Sequence, residues 1–251
     1  MRRSGPDTGP DTGPDTGQGA DHPAPRELVV DALDVELGGT VVLSEVSVRL
    51  DQRRVAVIGA NGSGKSTFAR VLGGLVPPTR GTVAVHGIDV RREPKPLRRA
   101  VGIVFTNPDA QILMPTVAED VAFSLRGSGL DRAEAADRVA AALDAYGLTA
   151  LAESPAHQLS GGQKQLLALA AVLVRRPALV IADEPTTLLD LGNARRVGGI
   201  LIDELDAQLV VVTHDLELAA RCDVALRFAE GRLVDAGDPA ALIADYRALH
   251  A

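Results

Sequence analysis

The sequence predicts an α/β fold, on three observations. Arg54–Ile58, Leu179–Ala182 and Leu209–Thr213 are short apolar runs, the pattern of buried strands. Stretches with apolar residues at helical spacing lie between them. The first run also leads through a glycine loop directly into such a stretch, a strand–loop–helix unit.

Taken from the N-terminus, residues 1–26 read as a tail. Gly-Pro-Asp-Thr occurs three times in succession, at Gly5–Thr8, Gly9–Thr12 and Gly13–Thr16. Such a composition buries too little apolar surface to offset the entropy of ordering, so disorder is expected, with the folded domain over 27–251. Arg2 and Arg3 precede no apolar stretch, which argues against a secretory signal. Leu28–Val35 and Val41–Leu50 alternate or run β-branched around Gly38-Gly39, predicting an antiparallel hairpin and so an antiparallel β subdomain.

After Gly59, the residues Phe68, Val71, Leu72 and Leu75 share one helical face until Gly73-Gly74 and Pro77-Pro78 stop it. Gly81–Val85 and Val101–Phe105 read as strands. Between the latter two, Pro94 and Pro96 are expected to break the basic run Arg91, Arg92, Lys95, Arg98, Arg99 into a solvated loop. Asp131 with Glu134 forms a capping pair for a helix carrying Val139 and Leu143 that ends at Gly147. Ser160 caps another with Leu166, Leu169, Ala170 and Leu173 on one side. A hairpin around Glu230-Gly231 and a helix near Ala240–His250 close the chain. The helical middle, about 107–175, is expected to be an insertion into the α/β core.

Composition narrows the function. Nearly half of the 251 residues are apolar, an ordinary globular balance. A formal charge of −7 opposes a nucleic-acid partner, which wants a basic face, and the scarcity of aromatics, with no Trp, two Tyr and four Phe, argues against base-stacking platforms. The single Cys222 excludes an internal disulfide and reads as a small buried hydrophobe. The longest apolar run, Leu166–Val174, is far below the ~20 residues of a spanning helix, so any work at a membrane needs other subunits.

Three motifs carry chemistry. Gly59-Ala60-Asn61-Gly62-Ser63-Gly64-Lys65-Ser66, followed by Thr67, fits the phosphate-loop pattern. Glycines let backbone N–H groups converge on phosphate oxygens, Lys65 supplies a point charge, and Ser66 offers a hydroxyl to Mg²⁺. The bland alternative is a glycine turn without a ligand. Asp183 ends an apolar strand, where it can hold the Mg²⁺ shell, and Glu184 beside it is placed to polarise a water as general base. The alternative there is a solvated loop start. Ser160-Gly161-Gly162-Gln163 at a helix N-terminus makes a second anion site, or else simply a helix cap.

Together these residues resemble the nucleotide-binding domain of ABC ATPases over roughly 28–240. The resemblance takes in Leu159–Gln163, Asp183-Glu184, Asp190 after Glu184-Pro185-Thr186, and His214 after its strand. It implies a P-loop NTPase core of ABC type with ATP as substrate and Mg²⁺ as its metal. It also implies two cassettes paired head to tail. Ser160, Gly161, Gly162, Gln163 and Asp190 would then act in trans on the partner's ATP, and His214 would contact the γ-phosphate. The stretches Phe105–Gln111 and Met114–Phe123 are similar to the ATPase subunits of energy-coupling-factor importers, and Ser160–Leu191 is most similar to the biotin-transporter version. Cobalt/nickel-type subunits are the next most similar. That likeness implies a membrane coupling subunit, a membrane substrate-binding subunit, and a peripheral place on the cytoplasmic face of the membrane.

Two positions depart from the family pattern. Thr106 stands where a glutamine usually reaches the metal, and Gln111 would then face the coupling subunit. Leu37 stands near where an aromatic ring would stack on adenine, which predicts weak base selectivity. A soluble ABC protein acting on DNA or ribosomes would carry a coiled-coil insertion or two cassettes, and this chain has neither. A non-catalytic ATP-gated clamp is opposed by intact Lys65, Asp183 and Glu184.

Overall fold

The computed structural model describes residues 26–249, so the tail expectation lies outside the described residues apart from Arg26. Strands β1 (Leu28–Leu37) and β2 (Thr40–Leu50) form the expected hairpin. With β4 (Arg80–Val85) and β5 (Ile88–Asp89) they make an antiparallel sheet in the order β2-β1-β4-β5. A second sheet is built from β3 (Arg54–Gly59), β6 (Val101–Val104), β7 (Leu179–Asp183), β8 (Gln208–Val212), β9 (Val224–Ala229) and β10 (Arg232–Gly237). Its order is β10-β9-β3-β8-β7-β6, parallel throughout except for β10.

The central strands are apolar on both faces because both faces are covered. Val55, Val57, Ile181, Val210 and Val212 pack with Phe68 and the antiparallel sheet, whereas Ala56, Ile58, Val180, Ala182 and Val211 face the helices. This is the period-2 alternation of a strand, and each fully buried Val or Ile contributes about 1.5–3 kcal/mol. The helices are α1 (Lys65–Leu72), α2 (Pro94–Ala100), α3 (Val117–Ser124), α4 (Arg132–Ala145), α5 (Gly161–Leu173), α6 (Leu191–Gly199), α7 (Leu216–Ala219) and α8 (Pro239–Ala248). Of these, α3, α4 and α5 all lie between β6 and β7. Capping boxes open each of the three, at Thr116/Glu119, Asp131/Glu134 and Ser160/Gln163.

Two expectations of local structure are corrected. Pro94 and Pro96 do not break the basic run into a loop but sit in the first turn of α2, where a missing N–H costs nothing. Leu75 is not on the α1 face: the helix ends before Gly73, and Leu75 is exposed. A short π-helical turn, Ile200–Glu204, follows α6. The buried Arg54 holds it, donating to the carbonyls of Ile202, Leu205 and Ala207.

Candidate functional site

The parallel sheet puts four sequence features side by side at its carboxyl edge, where α/β sheets bind ligands. Gly59–Thr67 leaves β3, His214 follows β8, Asp183-Glu184 ends β7, and Thr106 follows β6. The strand order β3-β8-β7-β6 makes these neighbours in space.

The phosphate loop is shaped by its glycines. Gly59 has φ 144°, and a Cβ there would collide with the Phe228 carbonyl oxygen. Gly64, at φ 99°, is the N-cap of α1, and a Cβ there would lie 2.6 Å from Leu43 Cδ2. No side chain caps α1 and no acidic residue stands in its first turn, so its positive dipole end faces the loop uncompensated. Ser63 Oγ is buried in the same loop without a hydrogen-bond partner. A backbone cradle with an orphaned polar atom fits a phosphate group.

Lys65 lies in this cradle, 5% exposed, its Nζ donating to the carbonyls of Gly59 and Ala60 at 2.8 Å each. Burial pushes its pKa down, against the pull of the Glu184 and Asp183 carboxylates. Ser66 Oγ donates to Asp183 Oδ1 at 2.9 Å. Among the described residues no group of three or more His, Cys, Asp or Glu side chains is arranged to hold a metal. One hydroxyl and one carboxylate instead fit the sparse protein oxygen set of a Mg²⁺ ion that takes its other ligands from phosphates and water.

Glu184 continues the chain from β7 with φ 52°, a left-handed conformation rare outside glycine and often found at active sites. Its Oε2 accepts from Thr187 Oγ1 at 2.7 Å and from the His214 backbone N–H at 3.4 Å. Its Oε1 lies 3.3 Å from His214 Nε2 but outside hydrogen-bond geometry, so this buried oxygen makes no hydrogen bond. Thr106 Oγ1 donates to the Asp183 carbonyl at 2.8 Å, tying the end of β6 to the end of β7.

Gln111 lines the groove between α2, α3 and α5 described below, but its amide turns back onto the chain. Its amide clamps the end of β6, accepting from Phe105 N–H at 2.8 Å and donating to the Ile103 carbonyl at 2.9 Å. An amide side chain can satisfy both groups of an extended backbone at once, and that use takes its polar atoms away from a partner.

Ser160–Gln163 occupies a different place, the start of α5. Ser160 Oγ accepts from Gln163 N–H at 3.3 Å while Gln163 Oε1 accepts from Ser160 N–H at 2.9 Å. Gly161 is open to solvent, but a Cβ on Gly162 would overlap the Asn193 side-chain amide. Asn193 is held in turn by Asp190, whose Oδ1 accepts from Asn193 N–H at 2.9 Å and whose Oδ2 accepts from Asn193 Nδ2 at 2.6 Å. The Asn193 N–H holds the Asp190 carboxyl below its usual range. Composition gave no sign of this Gly162–Asn193–Asp190 contact between α5 and α6.

Beyond these residues, Leu188 and Leu191 are exposed on either side of Asp190. Leu37 and Val41 are exposed on the hairpin whose residue Leu43 packs on Gly64. A groove of about 910 Å³ runs between α2, α3 and α5, lined among others by Arg98, Phe123, Arg126, Arg138 and Arg175. No helix among the described residues is long and apolar enough to cross a membrane.

A model of the ABC transporter family matches residues 43–187. An ABC transporter ATP-binding protein of Deinococcus radiodurans, whose name carries no cargo, is 50% identical over 206 residues, 82% of this chain and 91% of its own. The biotin transport ATP-binding protein BioM of Rhizobium etli is 44% identical over 222 residues, covering 88% of this chain and 98% of its own. The energy-coupling factor transporter ATP-binding protein EcfA1 of Lacticaseibacillus paracasei is 43% identical over 189 residues, 74% of this chain and 68% of its own. Among solved structures, CbiO1 of Clostridium perfringens, part of the ABC transporter complex CbiONQ, superposes with a TM-score of 0.79 at 32% identity. That match covers 89% of this chain and 92% of CbiO1.

Proposed function

The chain belongs to the ABC transporter family as one of its ATPases, and from that premise we propose that it energises an energy-coupling-factor importer whose cargo is biotin. The observation that carries the importer class is the paired likeness to EcfA1 and BioM over most of the chain. The resemblance of Phe105–Phe123 and Ser160–Leu191 to such subunits supports it from the sequence side.

In this reading the phosphates of ATP lie on Gly59–Thr67, with backbone N–H groups and Lys65 receiving their charge. Ser66 and Asp183 would hold Mg²⁺, which when bound neutralises charge developing on the phosphates. Glu184 takes a proton from the attacking water through a carboxylate already buried at the strand end. His214 contacts the γ-phosphate from the neighbouring strand. Thr106, with its hydroxyl on the Asp183 carbonyl, orders the metal-side loop rather than replacing the reach of a glutamine.

Ser160–Gln163 and Asp190 complete the site of a second copy. The exposed Leu188 and Leu191 beside Asp190 support a facing subunit, since large apolar side chains flanking a functional loop favour burial. The groove between α2, α3 and α5 is the surface we assign to the membrane coupling subunit, which holds the chain at the cytoplasmic face. A separate membrane subunit then selects the cargo.

Co-expression with candidate coupling and substrate-binding subunits, followed by uptake of labelled biotin and labelled cobalt, tests the reading. Biotin uptake that depends on Lys65 and Glu184 is the expected result. Cobalt uptake alone would move the chain to a metal importer. Uptake of neither, with ATPase activity intact, would remove the importer assignment.

A further inference from the structure

We propose that Thr187 is a positioning residue for Glu184, fixing which carboxylate oxygen acts as the base. The inference rests on the reading of Glu184 as the general base. Thr187 Oγ1 donates to Oε2 at 2.7 Å, a short bond to an anionic acceptor, and the His214 N–H adds a longer contact to the same oxygen. Oε2 is thereby committed. Oε1, buried beside His214 Nε2 at 3.3 Å but without a hydrogen bond, is the oxygen left for a water.

The chain makes this arrangement locally. Glu184 adopts its left-handed conformation and Pro185 follows, so the backbone turns sharply and returns Thr187 over the carboxylate. The backbone contact closing that turn, Thr187 N–H to the Glu184 carbonyl, is long at 3.4 Å. The side-chain bond is therefore the shorter tie between the two residues. Thr187 is itself exposed, so its hydroxyl makes no contribution to a core.

Chemically, the water O–H bond breaks and its proton passes to Oε1. The oxygen's electron pair forms the bond to the γ-phosphorus as the bond from that phosphorus to the β–γ bridging oxygen breaks. Only an orientation that points Oε1 at the water allows this. A carboxylate free to rotate holds either oxygen aligned with the water for a smaller fraction of encounters and lowers kcat without altering ATP affinity.

The test uses the full chain with Thr187→Val, Thr187→Ala, Thr187→Ser, Glu184→Gln and the Glu184→Gln/Thr187→Val pair. The readouts are kcat, KM for ATP, affinity for a fluorescent ATP analogue, and melting temperature. Thr187→Val and Thr187→Ala should each lower kcat about tenfold, the rate equivalent of a hydrogen bond to a charged group, with KM and nucleotide affinity held within about twofold. Thr187→Ser should restore kcat, and the double variant should be no slower than Glu184→Gln alone. Wild-type kcat in Thr187→Val and Thr187→Ala would overturn the proposal, as would equal damage in Thr187→Ser or a further fall in the double variant. Wild-type turnover in Glu184→Gln would instead remove the base reading itself, a result distinct from failure at Thr187 alone.

Discussion

Ser66 Oγ donates to Asp183 Oδ1 at 2.9 Å, joining the start of α1 to the end of β7. Both groups are hard oxygen donors, and among the described residues no group of three or more His, Cys, Asp or Glu side chains is arranged to complete a metal shell. Metal and nucleotide should therefore bind together. Ser66→Ala is expected to raise the Mg²⁺ concentration needed for half-maximal nucleotide binding about tenfold, and Asp183→Asn more so. Nucleotide binding measured in chelator should be unchanged in Ser66→Ala. A fall in chelator as well would assign Ser66 to the phosphates directly.

Glu184→Gln keeps the shape of the strand end and its hydrogen bond from Thr187 but removes the proposed base. ATP binding should persist while kcat falls by roughly 10²–10⁴, the range of general base catalysis. A stable ATP-bound dimer should accumulate, visible as a shift in gel filtration. Wild-type turnover would show the base to be elsewhere.

Thr106 is one of the two departures from the family pattern, and its hydroxyl is committed to the Asp183 carbonyl at 2.8 Å. Thr106→Gln would exchange that short bond for a longer reach toward the nucleotide. Nucleotide affinity should be retained, with a change in turnover or in its coupling to transport. Equal ATPase and uptake rates in both proteins would show position 106 to be indifferent.

These positions differ in how plainly the sequence announced them. Phosphate loop, strand-end acid and helix cap rest on local patterns: a glycine spacing, an apolar run ending in Asp183, a Ser160–Gln163 box. Each such pattern carries its own backbone consequence, and the strand order then gathers them at one edge. The role of Gln111 had no local signature, because an amide that satisfies Phe105 and Ile103 is placed by tertiary folding, not by spacing. Pro94 and Pro96 misled for a different reason. Proline opposes a helix interior but suits a first turn, and only the position of the helix start distinguishes the two. Thr187 is one of two adjacent threonines, and nothing in their order reveals which hydroxyl returns to Glu184.

Cys222 is buried, with Sγ 3.8 Å from the Leu218 carbonyl, and burial pushes its thiol pKa up to about 12. The thiolate is the reactive form, so native protein at pH 8 should alkylate roughly a thousandfold more slowly than an unfolded chain. Denaturant should restore ordinary reactivity. Rapid labelling of native protein would place Cys222 in a region that opens readily.

Gly161 and Gly162 allow the segment Ser160–Gln163 to be tested by a single methyl group at adjacent positions. At Gly161 an added Cβ meets nothing within 4 Å, so Gly161→Ala should fold with its stability changed by less than about 1 kcal/mol. At Gly162 the same atom would overlap the Asn193 amide, and that side chain cannot swing away without breaking its Nδ2 bond to Asp190 Oδ2. Overpacking of this kind costs typically 1–3 kcal/mol, and here the strain falls on both proposed trans elements at once. Gly162→Ala should thus lower the melting temperature and weaken ATP-dependent dimerisation. Nucleotide binding to the isolated subunit should survive, because the phosphate loop is carried on β3 and α1, away from α5. Asn193→Ala should relieve the clash, so the Gly162→Ala/Asn193→Ala pair should be more stable than the two single changes predict. Additive losses would show that the added methyl group is not strained against Asn193.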